Sequence, residues 1–175
     1  MRTLCVGLYP LLIKGADLMP TKQCIGNILD TNCDLLVHQV NGLGVMGAGL
    51  AKQIAGRYPH VERDYKRFVL GGDRNAQDLL GEYLIVKASD TLRIANVFGQ
   101  AGVGRDKRQT DYDALNRGLA AVANVARKEK LSVAIPYKLG CGLAGGNWDI
   151  VETMIALAFA NVDVSIYHYE PGANR

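Results

Sequence analysis

The sequence predicts an α/β fold in three layers, with helices on both faces of a mixed, largely parallel sheet. Three observations carry that expectation. Short apolar runs alternate with amphipathic segments along the chain. Several of those runs are continuously apolar, as strands buried on both faces are. Two of them lead straight into glycine-rich turns that open helices. The chain has 175 residues, 49% of them hydrophobic and 21% charged, and shows no composition break, linker or internal repeat. It reads as one domain over 21–175, preceded by a stretch, 1–20, that serves as a leader or as an extra edge strand.

Each element has its own signal. Arg2 followed by Leu4–Ile13 has a faint secretory pattern. Its apolar stretch is short and broken by Pro10, and Lys14 and Asp17 stand where a cleavage site would follow. Leu35–Val40 has the length of a buried strand. It runs into the glycine-rich turn Asn41–Gly49 and then a helix over Ala48–Tyr58, stopped before Pro59. His60–Leu70 carries Val61, Tyr65, Phe68 and Val69 at helical spacing and ends at Gly71–Gly72.

Tyr83–Lys87 and Leu92–Phe98 flank Ser89–Asp90 as two paired strands would. After the polar loop Gly99–Gln109, Thr110-x-x-Asp113 resembles a capping box opening a helix through Lys128. Ser132–Pro136 is a strand that runs into a second glycine loop, Gly140–Gly146. Asn147 caps the following helix, and Val162–Tyr169 alternates as the last strand.

Charge and cysteine usage exclude several classes. Twenty Lys+Arg against 17 Asp+Glu leave +3, too weak a surplus to argue for duplex DNA or an acidic membrane. Cys5, Cys24, Cys33 and Cys141 contain no C-x-x-C pair, and His38, His60 and His168 are scattered. Neither a metal site nor a cofactor is expected. Reduced thiols in a cytoplasmic protein are the natural reading. No apolar run reaches the roughly 20 residues of a membrane span. Nothing in the sequence bears on oligomeric state.

The two glycine loops carry the functional signal. In the first, Asn41-Gly-Leu-Gly-Val-Met-Gly-Ala-Gly-Leu-Ala, the missing Cβ atoms let the backbone approach a ligand. The N–H groups of Gly47, Ala48, Gly49 and Leu50 then point from a helix N-terminus, where an anion is favoured. The second, Leu139-Gly-Cys-Gly-Leu-Ala-Gly-Gly-Asn-Trp, repeats this strand–glycine–helix grammar about a hundred residues later. Two such loops on one sheet suggest two walls of one cleft, suited to a diphosphate. A single loop would equally serve tight strand–helix packing. The Walker pattern fails because Ala48 stands where Lys is needed. Gly42-x-Gly44-x-x-Gly47 matches the dinucleotide fingerprint, but a helix around Asp64–Phe68 occupies the place of its acidic residue, which disfavours a dehydrogenase.

These residues resemble the macro domain family. The resemblance rests on Val37-His-Gln-Val-Asn-Gly-Leu-Gly-Val-Met-Gly-Ala-Gly-Leu-Ala-Lys-Gln-Ile, together with Ile135-Pro, Leu139-Gly-Cys-Gly-Leu and Asn147-Trp148. It is closest to the branch of phage-encoded members, yeast-type ADP-ribose 1''-phosphate phosphatases and terminal ADP-ribose glycohydrolases. The resemblance implies an ADP-ribose cleft, with ADP-ribose or a related NAD-derived nucleotide as partner. Asn41 would bond the distal ribose, and Gly47–Leu50 would hold the pyrophosphate. Gly140, Cys141, Gly142, Leu143 and Ala144 would close the other side. Asn27 and Ile28 would line the adenine site, with Tyr167 either on the adenine face or serving packing.

The chain also departs from the family. Asn27 stands where many members place Asp, and it accepts through an amide oxygen without the charge. Gln100 and Ala144 occupy the places of the glycohydrolase Lys and Asp. For chemistry there remains His38, which is either a general acid or base with a pKa near 6.5 or a hydrogen-bonded histidine holding the loop. Cys141 is either a nucleophile without an assignable base or a small loop filler. Gln100, Arg105, Lys107 and Arg108 form a basic rim that touches a phosphate or is merely solvated. Two functions follow. One is a hydrolase of an ADP-ribose derivative in which His38 and Asn41 position water, and the other is a non-catalytic binder of such a nucleotide.

Overall fold

The computed structural model describes the backbone of residues 4–9 and 21–170, and the side chains of 21–170. Among these residues the chain runs β1 (Leu4–Tyr9), β2 (Thr21–Ile25), a 3-10 turn (Ile28–Asp30), β3 (Leu35–Asn41), α1 (Gly49–Arg57) and α2 (Pro59–Leu70). It continues β4 (Tyr83–Lys87), β5 (Arg93–Gln100), α3 (Tyr112–Glu129), β6 (Val133–Pro136), α4 (Trp148–Ala158) and β7 (Val164–His168). The strands form one sheet in the order β1-β2-β7-β6-β3-β5-β4. The inner pairs are all parallel, and β1 and β4 join antiparallel at the two edges.

Strand β3 lies near the middle, paired to β5 on one side and β6 on the other. This explains its continuous apolar run, since both of its faces are covered. Leu35 and Val37 pack with Leu115, Leu119 and Val122 of α3 and Val151 and Ile155 of α4. The alternate residue Leu36 packs with Ile54 of α1 and Val61 of α2, and Val40 with Tyr65 and Phe98. A strand's side chains alternate in direction, so the run divides between two helical layers.

The chain leaves β3 for α1 on one face of the sheet and leaves the neighbouring β6 for α4 on the other. Adjacent parallel strands whose connections diverge in this way open a crevice at their carboxyl ends, where α/β sheets bind ligands.

The expected boundary of α3 is corrected. The helix opens at Tyr112, and the Oδ1 of Asp111 caps it by accepting from Ala114 N at 2.9 Å. Thr110 is taken up elsewhere: its Oγ1 donates to Gly140 O at 2.6 Å and accepts from Gln39 Nε2 at 3.0 Å. Asn147 caps α4 as expected, accepting from Asp149 N at 2.9 Å.

Candidate functional site

The first glycine loop is shaped by Asn41. Its Oδ1 accepts from Leu43 N at 3.0 Å and Val45 N at 3.2 Å, and its Nδ2 donates to Val45 O at 2.7 Å. Tyr65 of α2 braces the same point from beneath, its hydroxyl donating to Asn41 O at 2.6 Å and lying 3.1 Å from Asn41 Oδ1. Asn41 thus lines the cavity while its amide folds the loop, Nδ2 donating one of its two hydrogens to Val45 O. The loop then delivers the backbone into α1. Ala48 is the N-cap and offers no side-chain hydrogen bond, so the first-turn N–H groups are left for an outside acceptor. Gly49, at φ +56°, has open space where a Cβ would stand.

The second loop is tied to β3 by a half-buried polar relay. Gln39 Nε2 donates to Gln100 Oε1 at 2.7 Å and to Thr110 Oγ1, which passes the chain on to Gly140 O. Gly140 sits at φ +68°, and a Cβ there would lie 2.5 Å from Gln39 Oε1. Glycine is required twice over at this position. The N–H groups of Gln109 and Thr110 both donate to Ala144 O, at 2.9 and 3.1 Å, joining the loop after β5 to the second glycine loop.

Between the two loops lies a cavity of about 500 Å³. It is lined by Gly47 to Leu50 on one side and by Gly140, Gly142, Leu143 and Ala144 on the other, with Gln100 and Arg105 at one edge. His38, Gln39 and Asn41 form its floor, and Pro136, Tyr137 and Lys138 line it beside the second loop. The two walls expected from the glycine loops thus meet across one crevice.

Several expected site residues sit elsewhere. Ile28 and Tyr167 are buried in the core with Leu36 and Ile54, and neither lines the cavity. The alternation of β7 turns Tyr167 into that layer. Asn27 also lies outside the lining and caps the 3-10 turn, its Oδ1 accepting from Leu29 N at 3.0 Å. Cys141 points away from the cavity, its thiol donating to Leu139 O at 3.1 Å. Burial pushes that thiol up to about 11, with Lys138 opposing weakly, so it stays protonated and is not an activated nucleophile.

His38, read from the sequence either as a proton-transfer group or as a hydrogen-bonded histidine, is buried and bonded. Its ring is only 2% exposed and its Nε2 lies 2.8 Å from Asn96 Oδ1. Burial pulls its pKa down to about 4 against the opposing pull of the Asn96 hydrogen bond, replacing the value near 6.5 expected for a proton-transfer group. The neutral imidazole is a donor to Asn96, whose own Nδ2 donates to Leu84 O at 3.1 Å.

Gln39, Asn96, Tyr137 and Lys138 were not singled out from the sequence, and Thr110 and Tyr65 were read only as a helix cap and a helix-face residue. Gln39 and Asn96 did leave a signal, since each is an amide in an otherwise apolar strand and buried amides need partners. The Tyr137 ring stacks on His168 at 4.2 Å and meets Trp148 edge-on at 4.9 Å. Among the described residues, no carboxylate lines the cavity; its charged lining groups are Arg105 and Lys138. No group of three or more potential metal ligands occurs among the described residues, and no helix there is long and apolar enough to cross a membrane.

No family model matches the chain. A solved structure does: the macrodomain of Mycobacterium tuberculosis DarG is 30% identical, with a TM-score of 0.69 over 81% of this chain and 93% of that one. The chain belongs to the macrodomain family. A Bacteroides thetaiotaomicron protein of unknown function shares this macrodomain's architecture with a TM-score of 0.73 and 26% identity, over 83% of this chain and 95% of that one. The DNA ADP-ribosyl glycohydrolase of Mycobacterium tuberculosis is 28% identical over 153 residues. That match takes in 86% of the macrodomain described here but 42% of the longer relative.

Proposed function

We propose that this macrodomain binds ADP-ribose, or an ADP-ribosyl group on a larger molecule, and holds it without turning it over. The observation that carries this reading is the cavity between the two glycine loops, cationic at its edges and without a lining carboxylate among the described residues. Its volume falls within the usual few hundred to a thousand Å³ of small-molecule sites. The uncapped start of α1 supplies N–H donors and the positive end of a helix dipole to one side of a diphosphate. Gly142 to Ala144 approach from the other side, and Arg105 and Lys138 add charge that a phosphate would neutralise.

Proton transfer at phosphorus or at the anomeric carbon needs a group that titrates near neutrality within reach of the substrate. His38 is neutral and committed to Asn96, and the Cys141 thiol is protonated and turned away. Binding alone asks for neither.

A second reading, hydrolysis of an ADP-ribosyl bond, is favoured by the similarity to a protein named DNA ADP-ribosyl glycohydrolase. Phosphatase action on ADP-ribose 1''-phosphate, in the manner of the yeast-type branch, is its variant. Calorimetric titration with ADP-ribose, AMP and NAD, followed by product analysis with ADP-ribose 1''-phosphate, ADP-ribosylated protein and ADP-ribosylated DNA, separates the readings. Tightest binding of ADP-ribose with all three substrates left intact is the expected result. Release of ADP-ribose or phosphate would establish the hydrolase instead.

A further inference from the structure

Strand β1 joins the edge of the sheet through β2, antiparallel, with Leu4 opposite Ile25 and Cys5 opposite Cys24. The ladder then shifts register before Leu8 meets Lys22. Cys24 is the one fully buried residue of β2, at 0% exposed, and packs in the layer of Ile28, Leu36 and Tyr167. On its other side Cys24 pairs with Tyr167 of β7, so the two cysteines begin a row that crosses the sheet.

Directly opposite residues of an antiparallel pair share a face, with Cβ atoms about 4.5–5.5 Å apart. Their Cα atoms stand about 4.5 or about 5.5 Å apart, according to the ladder position they occupy. Both values fall inside the window of roughly 4.4–6.8 Å that a disulfide spans. A single buried cysteine packs as a small apolar residue. Two set opposite each other by the register, just before the edge ladder becomes irregular, are placed to bond covalently. The other cysteines are placed differently. Cys141 sits in the second glycine loop with its thiol on Leu139 O, and Cys33 packs at the margin of the layer that holds Cys24.

We propose that Cys5 and Cys24 form a reversible cross-strand disulfide that fastens β1 to the sheet under oxidising conditions. Exchange with a small disulfide such as oxidised glutathione supplies the oxidant. The Cys5–Cys24 S–S bond forms, the S–S bond of the reagent breaks, and both thiol hydrogens leave on two molecules of reduced glutathione. β1 is an edge strand, and edges open more readily than the core, which admits the reagent to the pair. The bond closes a loop of chain that contains the whole β1–β2 connection, so it restricts the unfolded chain and raises stability. A dithiol reductant reverses it and leaves β1 held by its backbone ladder. The cleft between β6 and β3 lies beyond β2 and β7, so fastening the edge does not depend on what the cleft binds.

The test takes the whole protein through glutathione buffers from fully reduced to fully oxidised, then blocks the remaining thiols and digests chains of monomer mass with trypsin. Lys14 and Lys22 lie between the two cysteines, so a peptide with Cys5 stays joined to one with Cys24 only through a covalent bond. The second peptide, Gln23 to Lys52, also holds Cys33, so the mapping is repeated in Cys33→Ser. The joined pair is expected in oxidised wild type and oxidised Cys33→Ser, is expected to be absent from Cys5→Ser, and is expected to disappear on reduction. The urea midpoint of the oxidised wild type is expected to exceed that of the reduced form by about 1 M or more. Cys5→Ser is expected to show the same midpoint in both buffers, and Cys24→Ala to match it. Glutathione adducts without the joined pair, a joined pair lost in Cys33→Ser, disulfides formed only between chains, or a joined pair with no rise in midpoint would each overturn the lock.

Discussion

His38 is held neutral by burial, and this has a consequence for stability that can be measured. Its folded pKa of about 4 lies below the unfolded value near 6.5. Between those values the unfolded chain binds a proton that the folded chain does not, so stability rises with pH. This contribution is present above about pH 6.5 and lost as pH falls toward 4, to a total of order 3 kcal/mol. Urea midpoints measured from pH 7 to pH 4 are expected to fall more steeply for wild type than for His38→Gln, which cannot titrate. Parallel slopes would show that the ring is not buried neutral. Tyr65 makes a second point at this scale, since removing its hydroxyl strips Asn41 O and Oδ1 of a buried donor. Tyr65→Phe is expected to cost about 1–3 kcal/mol in denaturant unfolding and to weaken ADP-ribose binding through the loosened loop. Cys141→Ser is expected to leave binding unchanged in titration, because the thiol faces Leu139 O and not the ligand.

At the level of elements, the cleft depends on β3, the end of β5, the start of α3 and the second glycine loop being tied together by Gln39 and Thr110. Thr110→Val removes the donor to Gly140 O and the acceptor for Gln39 Nε2. A loss of about 1–3 kcal/mol in stability is expected. ADP-ribose affinity is expected to drop by about tenfold, the equivalent of roughly 1.4 kcal/mol, with AMP affected less on the proposed reading in which the second loop faces the part of ADP-ribose that AMP lacks. Equal losses for both ligands would mean the relay supports the whole fold rather than that loop. This relay was the least legible part of the sequence. Strands β3 to β6 could be placed from apolar runs, and the two walls of the cleft from glycine spacing, because those signals are local and periodic. The partners of Gln39 lie 61 and 71 positions away, and no local pattern points to them. Thr110 misled for a related reason: Thr110-x-x-Asp113 has the composition of a capping box, but a tertiary bond to Gly140 outcompetes the cap and Asp111 takes that place. Ile28 shows the limit of carrying roles over by resemblance, since core packing decides where its side chain points, and Tyr167 takes the packing alternative left open for it.

Across the whole molecule, stability and binding are laid out on different parts of the sheet. The cleft opens where β6 and β3 diverge, whereas β1 is added antiparallel at the far edge, with β2 and β7 between it and β6. Removing residues 1–20 would leave the backbone donors and acceptors of β2 on that side without a strand partner. An unpaired edge of that kind lowers stability and recruits other chains. The truncated protein is therefore expected to unfold at lower urea concentration and to self-associate in light scattering as its concentration rises. Its affinity for ADP-ribose is expected to stay within about twofold of the full chain, as for changes that share no contacts with the site. Ligand-linked stabilisation then supplies an internal check. At a free ligand concentration of 100 Kd both forms should gain about 2.7 kcal/mol, because that gain depends only on the ratio of concentration to Kd. Equal gains from unequal starting stabilities would show that the edge strand supports the sheet without touching the cleft. A truncated chain that folds but loses more than about tenfold in affinity, a difference of roughly 1.4 kcal/mol, would mean that the first twenty residues reach the site.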